Sequence, residues 1–173
     1  MKKTFILIVL IMVCFSAWAQ PSNRVEYDTL KNQPVVVGLC TRTFLESFAP
    51  FNLRYQDEYN AYTPVMEKGV PYPELLEGVT ITIVLGTWCG DSREQLPRFF
   101  KVLDEIGYPS GALILIATDG QKKVPGMDIS GYGILRVPTF IFQYKGIEIG
   151  RITETPVTSL EADMLEILQK KEG

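Results

Sequence analysis

One cysteine of this sequence lies where a strand is predicted to end and a helix to begin. The run Val79–Leu85 is apolar and rich in β-branched residues, which is typical of a buried strand, and helical spacing of apolar residues starts just after Cys89. The first N–H groups of a helix lack partners inside the helix, and the aligned peptide dipoles there favour negative charge. A thiol at this place is therefore expected to ionise readily, and Ser92 is predicted to donate a hydrogen bond to the thiolate. Cys89 is the candidate nucleophile.

Other interpretations of the cysteines stay open at this level. The carboxylate of Asp91 would disfavour a thiolate at Cys89, and a free cysteine is often simply a small buried residue. Cys40 could be a remote resolving thiol or an inert thiol of the N-terminal region. The inert interpretation is preferred, because nothing in the sequence places Cys40 near Cys89.

The composition excludes several classes of function. The sequence contains no histidine, which removes Cys-His and Ser-His catalysis and the commonest metal ligand. Of the 17 basic residues two are Lys2 and Lys3, so without the first 19 residues the chain carries 15 basic and 20 acidic residues, a net charge of −5. That balance argues against a nucleic-acid or anionic-membrane surface.

Residues 1–19 are predicted to be a cleaved signal peptide. Lys2 and Lys3 precede an apolar run at residues 5–15, and Ala17-Trp18-Ala19 has the A-x-A form of a cleavage site. The run is short for a membrane span. The alternative is a lipoprotein signal using Cys14, which is disfavoured because Val13 is bulky and Cys14 comes early. We therefore expect export, most simply to a periplasm, and no stable membrane insertion after cleavage.

The pattern of the remaining chain predicts three parts. Residues 20–33 are polar and aperiodic and are predicted to be a flexible tether. Residues 34–78 are predicted to be an N-terminal extension packed on the domain, with a strand at 34–40, a helix capped by Thr41, a tyrosine-rich second helix and a linker at 69–74. Residues 79–173 are predicted to be the domain itself.

Within the domain the elements alternate as strand, helix, strand, hairpin and helix. The first helix contains Pro97 and ends at Gly107, residues 118–132 are predicted to be a long loop with at most one helical turn, and Thr158 with Glu161 forms a capping-box pattern for the last helix. The hairpin turns at Lys145-Gly146. This order predicts an α/β fold, with a central mixed β-sheet, helices on both faces and an N-terminal helical extension.

Several segments resemble the thioredoxin superfamily. Residues 88–92, Trp-Cys-Gly-Asp-Ser, are similar to its active-site segment, with Ser92 in place of the second cysteine of Cys-x-x-Cys. Pro97 matches a proline of that helix, residues 132–140 with Pro138 resemble the segment with the family's cis-proline, and residues 146–151 resemble the following hairpin. The resemblance extends from about residue 79 to 168 and implies a thioredoxin-like three-layer sandwich. It also implies a cis bond before Pro138, the alternative being an ordinary trans proline at a strand's start.

The departure from the family predicts the chemistry. Thioredoxins release product with the second cysteine, assisted by a buried aspartate six residues before the first, but this chain has Ser92 and Ile83 at these places. The expected activity is thiol–disulfide exchange on protein substrates through a mixed disulfide at Cys89, isomerase-like or monothiol. We expect the protein to be an enzyme, and the alternatives are a non-catalytic peptide-binding module and a redox sensor.

The resemblance also implies the site residues. We expect Cys89, Ser92 and Pro138 to be catalytic, and the following to contact substrate: Trp88, Gly90, Asp91, Val137 and Thr139. Trp88 could equally be a packing residue. No cofactor or metal is expected. The expected partners are proteins with cysteines or disulfides and a reducing thioredoxin-like or small-thiol partner.

Overall fold

The computed structural model describes residues 23–172, so the predicted signal peptide and the start of the predicted tether lie outside it. A six-stranded sheet has the order β1-β2-β4-β3-β5-β6. Its strands are β1 (Arg24–Asp28), β2 (Gln33–Cys40), β3 (Val79–Leu85), β4 (Leu113–Ala117), β5 (Thr139–Tyr144) and β6 (Ile147–Thr153).

The sheet is mixed, as predicted. β3 and β4 are parallel, with Leu85 opposite Ala117, while β2, β5 and β6 each run antiparallel to their neighbours. The connection between the parallel strands is a helix, as such a pair requires. The carboxyl ends of β3 and β4 therefore meet at one edge of the sheet, where the helix after β3 begins.

Five α-helices are described: α1 (Arg42–Ser47), α2 (Asn52–Ala61), α3 (Tyr72–Leu76), α4 (Gly90–Glu105) and α5 (Leu160–Gln169). Thr41 caps α1 as predicted, its hydroxyl accepting from the N–H of Phe44. Ser159 caps α5, but the predicted capping box does not close it. Glu161 instead accepts hydrogen bonds from Tyr62 Oη and the Val65 N–H, both at 2.7 Å.

The two faces of the sheet have different covers. Side chains that alternate along β3 divide between two apolar clusters, Ile81, Ile83 and Leu85 in one and Val84 in the other. All five α-helices pack into the first cluster. The second is covered by the loop between β4 and β5, whose helical part is one 3-10 turn, Ser130–Tyr132. The mixed α/β fold is confirmed, but within residues 23–172 the predicted α-helices on both faces are found on one face only, and a loop with one helical turn covers the other.

The N-terminal region differs from its prediction. Within the predicted tether, Arg24–Asp28 forms β1 and pairs with β2 in a hairpin, and β2 joins the central sheet through β4. The predicted extension therefore supplies strands as well as helices, and its predicted linker contains the start of α3. β1 carried no hydrophobic period because four of its five residues are exposed at the sheet edge.

Candidate active site

Cys89 lies at the turn from β3 into α4, as predicted. It is the N-cap residue of α4, with extended backbone (φ −85°, ψ 132°), and its side chain is half-buried. Its N–H donates to the carbonyl of Gly86 at 2.9 Å, and its carbonyl accepts from the N–H of Arg93 at 3.2 Å. The sulfur is therefore held beside the first turn of a 16-residue helix.

The segment before β5 meets the sulfur from the other side. The Val137–Pro138 peptide bond is cis, and the Cys89 thiol donates to the carbonyl oxygen of Val137 at 3.2 Å. Two segments 48 residues apart thus place a thiol and a cis-proline together. Cys89 belongs to a parallel β3–α4–β4 unit, and Pro138 directly precedes an antiparallel β5–β6 hairpin that is followed by α5. The protein has a thioredoxin-like fold.

Solved structures with this fold are among the structural matches. A thioredoxin of Fasciola hepatica is 19% identical, with a TM-score of 0.38, over 58% of this chain and 90% of that one. Mitochondrial thioredoxin 3 of Saccharomyces cerevisiae, in its oxidized form, is 19% identical, with a TM-score of 0.37, over 63% of this chain and 98% of that one. The protein of unknown function PA1234 from Pseudomonas aeruginosa is 13% identical, with a TM-score of 0.41, over 78% of this chain and 98% of that one. No protein-family model and no curated protein matches the sequence.

Ser92 has a different partner from the predicted one. Its side chain is fully buried at 0% exposure, and its hydroxyl oxygen accepts a hydrogen bond from the N–H of Gly86 at 3.2 Å. The hydroxyl therefore joins the end of β3 to the first turn of α4. Ser92 thus has a structural role that the thiolate-donor prediction did not include.

Trp88 precedes Cys89 and packs against the same apolar cluster. Its indole Nε1 donates to the Thr118 carbonyl at 3.0 Å, and the ring is half-buried against the loop-covered cluster. A Cβ on Gly86 would come within 2.7 Å of the ring, so only glycine permits this approach. On the ring's face lies the ammonium of Lys31, 3.9 Å from the centroid. These contacts show the packing role of Trp88, while its contact with a substrate stays a prediction.

Arg93 is a site residue that the sequence reasoning missed. Its guanidinium donates to the Thr87 carbonyl at 2.8 Å and to Gln33 Oε1 at 3.4 Å. Burial and the cation of Arg54 hold the pKa of Arg93 below its usual value, while the Cys89 sulfur acts in the opposite direction. The i, i+4 spacing of Cys89 and Arg93 on a helix was the available signal.

The other predicted substrate contacts divide into accessible and buried residues. Gly90 is exposed and Asp91 half-buried in the first turn of α4. Val137 is 3% exposed and offers its carbonyl to Cys89. Thr139 is 1% exposed and its hydroxyl donates to the Arg136 carbonyl at 2.7 Å, so its side chain does not face a substrate. That residue was predicted from its neighbourhood to Pro138, but strand alternation turns it inward.

Cys40 lies on the opposite face of the sheet from Cys89. Its side chain belongs to the helix-covered cluster, whereas Cys89 packs against the loop-covered one. Burial raises the pKa of the Cys40 thiol to about 12, against the smaller effect of the Ala117 backbone. Both cysteines are free. The arrangement agrees with the inert interpretation of Cys40.

A cleft lies within the loop between β4 and β5, and its lining contains neither Cys89 nor Pro138. It has a volume of about 470 Å³ and is lined by apolar residues, including Met127 and Ile134, together with Lys122 and Lys123. A larger cleft of about 610 Å³ lies at the other end of β3, near Val79, away from the sulfur. Across residues 23–172 no group of potential ligands could hold a metal ion, and no helix is long and apolar enough to cross a membrane.

Proposed function

We propose that this protein carries out thiol–disulfide exchange on protein substrates through a mixed disulfide at Cys89. The observation that carries the proposal is the position of the sulfur at the N-cap of α4, 3.2 Å from the Val137 carbonyl that precedes the cis bond to Pro138. A thiol at a helix start and near a cation has the surroundings of a reactive cysteine. Its partial exposure leaves it within reach of a second protein.

The proposed chemistry is isomerase-like and leaves the protein's redox state unchanged. The Cys89 thiolate attacks one sulfur of a substrate disulfide, a new S–S bond forms, and the other sulfur leaves as a thiolate. A second substrate thiolate then attacks the mixed disulfide and releases Cys89. No net electrons are transferred, so no resolving cysteine is needed.

Three residues support one-cysteine chemistry over a dithiol cycle. Ser92 cannot form a disulfide, Ile83 is fully buried in the apolar core, and Cys40 belongs to the other face of the sheet. A net oxidase or reductase would need an external thiol, such as a thioredoxin-like protein or a small thiol. We propose such a partner only for a reductive cycle.

The second candidate is a module that holds peptides without turnover, and a redox sensor is a variant of it. The observation that favours it is the same lack of a resolving group, since a mixed disulfide at Cys89 would then persist. We further propose that residues 1–19 direct export, which would place the protein where substrate disulfides persist.

The test is the refolding of a scrambled disulfide-bonded protein by wild type, Cys89→Ser and Cys40→Ser. We expect wild type and Cys40→Ser to accelerate refolding and Cys89→Ser to be inactive. Equal rates for wild type and Cys89→Ser would reject exchange catalysis. If wild type then also formed a stable mixed disulfide with one half of a disulfide-bonded peptide, releasing the other half as a thiol, the peptide-holding module would be the better description.

A gain-of-function variant separates monothiol from dithiol chemistry. Ser92→Cys restores the Cys-x-x-Cys pattern, so we expect it to release the mixed disulfide on its own and to accumulate less of it. The measurement is the fraction of trapped adduct after acid quenching, by mass spectrometry. Equal adduct in wild type and Ser92→Cys would contradict the assigned role of residue 92.

A further inference from the structure

The N-terminal hairpin contacts two residues around Cys89, a contact that no pattern in the sequence predicts. The turn between β1 and β2 carries Lys31, whose ammonium lies 3.9 Å from the centroid of the Trp88 ring. Gln33, at the start of β2, accepts from Arg93 at 3.4 Å. The hairpin therefore touches Trp88, which precedes Cys89 in the sequence, and Arg93, one helical turn after it.

Asp28 holds this turn in place. Its carboxylate is 9% exposed and accepts hydrogen bonds from the N–H groups of Leu30, Lys31 and Gly120. A Cβ at Gly120 would come within 2.9 Å of both the Asp28 carboxylate and the Lys31 side chain. A larger residue at 120 would therefore have to displace the side chains of Asp28 and Lys31. The aliphatic part of the exposed Lys31 side chain packs against the loop after β4.

The charged side chains around Cys89 come from the hairpin, α4 and the loop after β4. Lys31 lies against Trp88, the charge of Arg93 interacts with the Cys89 sulfur, and Lys122 and Lys123 line a cleft of the loop. The carboxylates of these segments include Asp28, Asp91, Asp119 and Asp128. Asp28, Asp119 and Asp128 accept hydrogen bonds from backbone N–H groups, which leave their negative charge in place.

We propose that Lys31 is a specificity-determining residue of the Cys89 site, which attracts disulfides that carry negative charge next to the reacting sulfur. The inference rests on the proposed exchange activity of Cys89 and adds the substrate's charge to it. A cation held against Trp88, the residue before Cys89, raises the local concentration of an anion at the site and stabilises its approach. The preferred protein substrates are therefore those with acidic residues beside the disulfide.

The probe reaction has a balanced form. The Cys89 thiolate attacks one sulfur of a small disulfide, forms the mixed disulfide and releases the second sulfur as a thiolate. The Cys89 sulfur is oxidised and the released sulfur is reduced, while the thiol proton goes to solvent. Three reagents differ in charge: dianionic 5,5′-dithiobis(2-nitrobenzoate), neutral 4,4′-dithiodipyridine and dicationic cystamine.

The test compares the rate constant at Cys89 for each reagent in the full chain with Cys14→Ser and Cys40→Ser as background. We expect Lys31→Met to slow the anionic reagent by roughly threefold to tenfold, the lower end of electrostatic steering by a charged cleft. The neutral reagent should change by less than about twofold and the cationic one should become faster. Raising the ionic strength to about 1 M should remove the difference, since the screening length falls to about 3 Å.

Two further variants separate charge from folding. Lys31→Arg keeps the cation and should keep the preference, whereas Lys68→Met removes an exposed lysine before α3 and should change nothing. Adding Trp18→Phe leaves Trp88 as the sole tryptophan, so its emission reports the contact directly. Emission that is identical in the background protein and Lys31→Met would overturn the proposed placement of Lys31.

The outcomes distinguish this inference from the proposed function. If Lys31→Met slows all three reagents alike, Lys31 is structural and the inference is wrong. If the background protein reacts with all three at Cys89 but Lys31→Met leaves their relative rates unchanged, the inference is wrong while exchange at Cys89 stands. If it reacts with none, both are overturned.

Discussion

The two faces of the sheet each hold one cysteine, and the two thiols have opposite surroundings. Cys40 lies under the α-helices, 6% exposed among apolar side chains, and burial raises its pKa to about 12. Cys89 lies at the edge of the loop-covered face, half-buried, with a carbonyl, a helix start and the charge of Arg93 nearby. The cover over each face, rather than the residue type, decides which thiol can react.

The two faces are packed differently because α-helices cover one of them and the β4–β5 loop covers the other. On the helix face the aromatic rings interlock, with the centroids of Phe99 and Phe140 4.7 Å apart. On the loop face the clustered residues Trp88, Met127 and Ile134 are only partly buried. A closely packed face excludes solvent and supports the fold. The thinner face leaves room for a visiting segment, and it is there that the chemistry is proposed.

The largest expected effect is the contrast in thiol reactivity. With a pKa of about 12, the Cys40 thiolate is about 10⁻⁴ of the total at pH 8. We expect alkylation of Cys40 in the folded protein to be at least about 10³-fold slower than in the unfolded chain. Cys89 should be modified readily in the folded state. The measurement is site-resolved mass spectrometry after iodoacetamide treatment, with and without urea.

The pH dependence gives this contrast a second readout. Because burial raises the pKa of Cys40, its alkylation rate should rise about tenfold per pH unit well above pH 9, where an unperturbed thiol has levelled off. The urea-unfolded chain is the control. A Cys40 rate that levels off near pH 9 in the folded protein would show that this thiol is not sealed.

The stability contribution of each face provides the next test. Phe99→Ala on the helix face removes a fully buried ring and should lower the free energy of unfolding by about 3–5 kcal/mol. Met127→Ala on the loop face removes a partly buried side chain and should cost about 1 kcal/mol. Urea unfolding followed by circular dichroism measures both. Equal losses would mean that the loop face is packed as closely as the helix face.

The sequence predicted the elements that repeat a strong pattern. The apolar run of β3, the amphipathic α4, the β5–β6 hairpin and the capped α5 are all present. Their periodicity or turn chemistry is local, so it can be identified without knowing the fold. The position of Cys89 at the N-cap of α4 follows from the same local signals.

What the sequence could not predict depends on long-range contacts. β1 is an exposed edge strand recognisable only by its pairing with β2. Lys31 reaches the site through a contact with Trp88, 57 positions later in the printed sequence. Glu161 fits a capping box, but its buried carboxylate accepts from Tyr62 Oη and the Val65 N–H instead. A side chain that fits a local motif takes a different hydrogen-bond partner where the folded chain offers one, as Glu161 does.

Replacing Asp28 should loosen the turn between β1 and β2 and its contact with Gly120 in the loop after β4. Asp28→Asn leaves one acceptor oxygen for three N–H groups, so we expect a loss of about 1–3 kcal/mol in the free energy of unfolding at pH 7. Burial would raise the pKa of Asp28, but these hydrogen bonds and the charge of Lys31 hold it below its usual value. Its stabilisation is therefore present above about pH 4 and lost as the pH falls further.

The measurement is urea unfolding of wild type and Asp28→Asn at pH 7 and pH 3. The gap between the two proteins should narrow at the lower pH. Asp57→Asn, an exposed aspartate of α2, is the matched control and should change little at either pH. A gap that is constant with pH would mean that the Asp28 charge does not hold the turn.

The smallest effect distinguishes the two roles considered for Ser92. Because its hydroxyl accepts from the Gly86 N–H inside the protein, Ser92→Ala should cost about 1 kcal/mol of stability. If that is its whole role, the rate of Cys89 with a neutral disulfide should change by less than about twofold. If the hydroxyl instead supports the thiolate, the pH midpoint of that reaction should shift upward in Ser92→Ala. Measuring both the unfolding free energy and the pH–rate profile of the same variant decides between β3–α4 packing and thiolate support, and the contact with Gly86 favours packing.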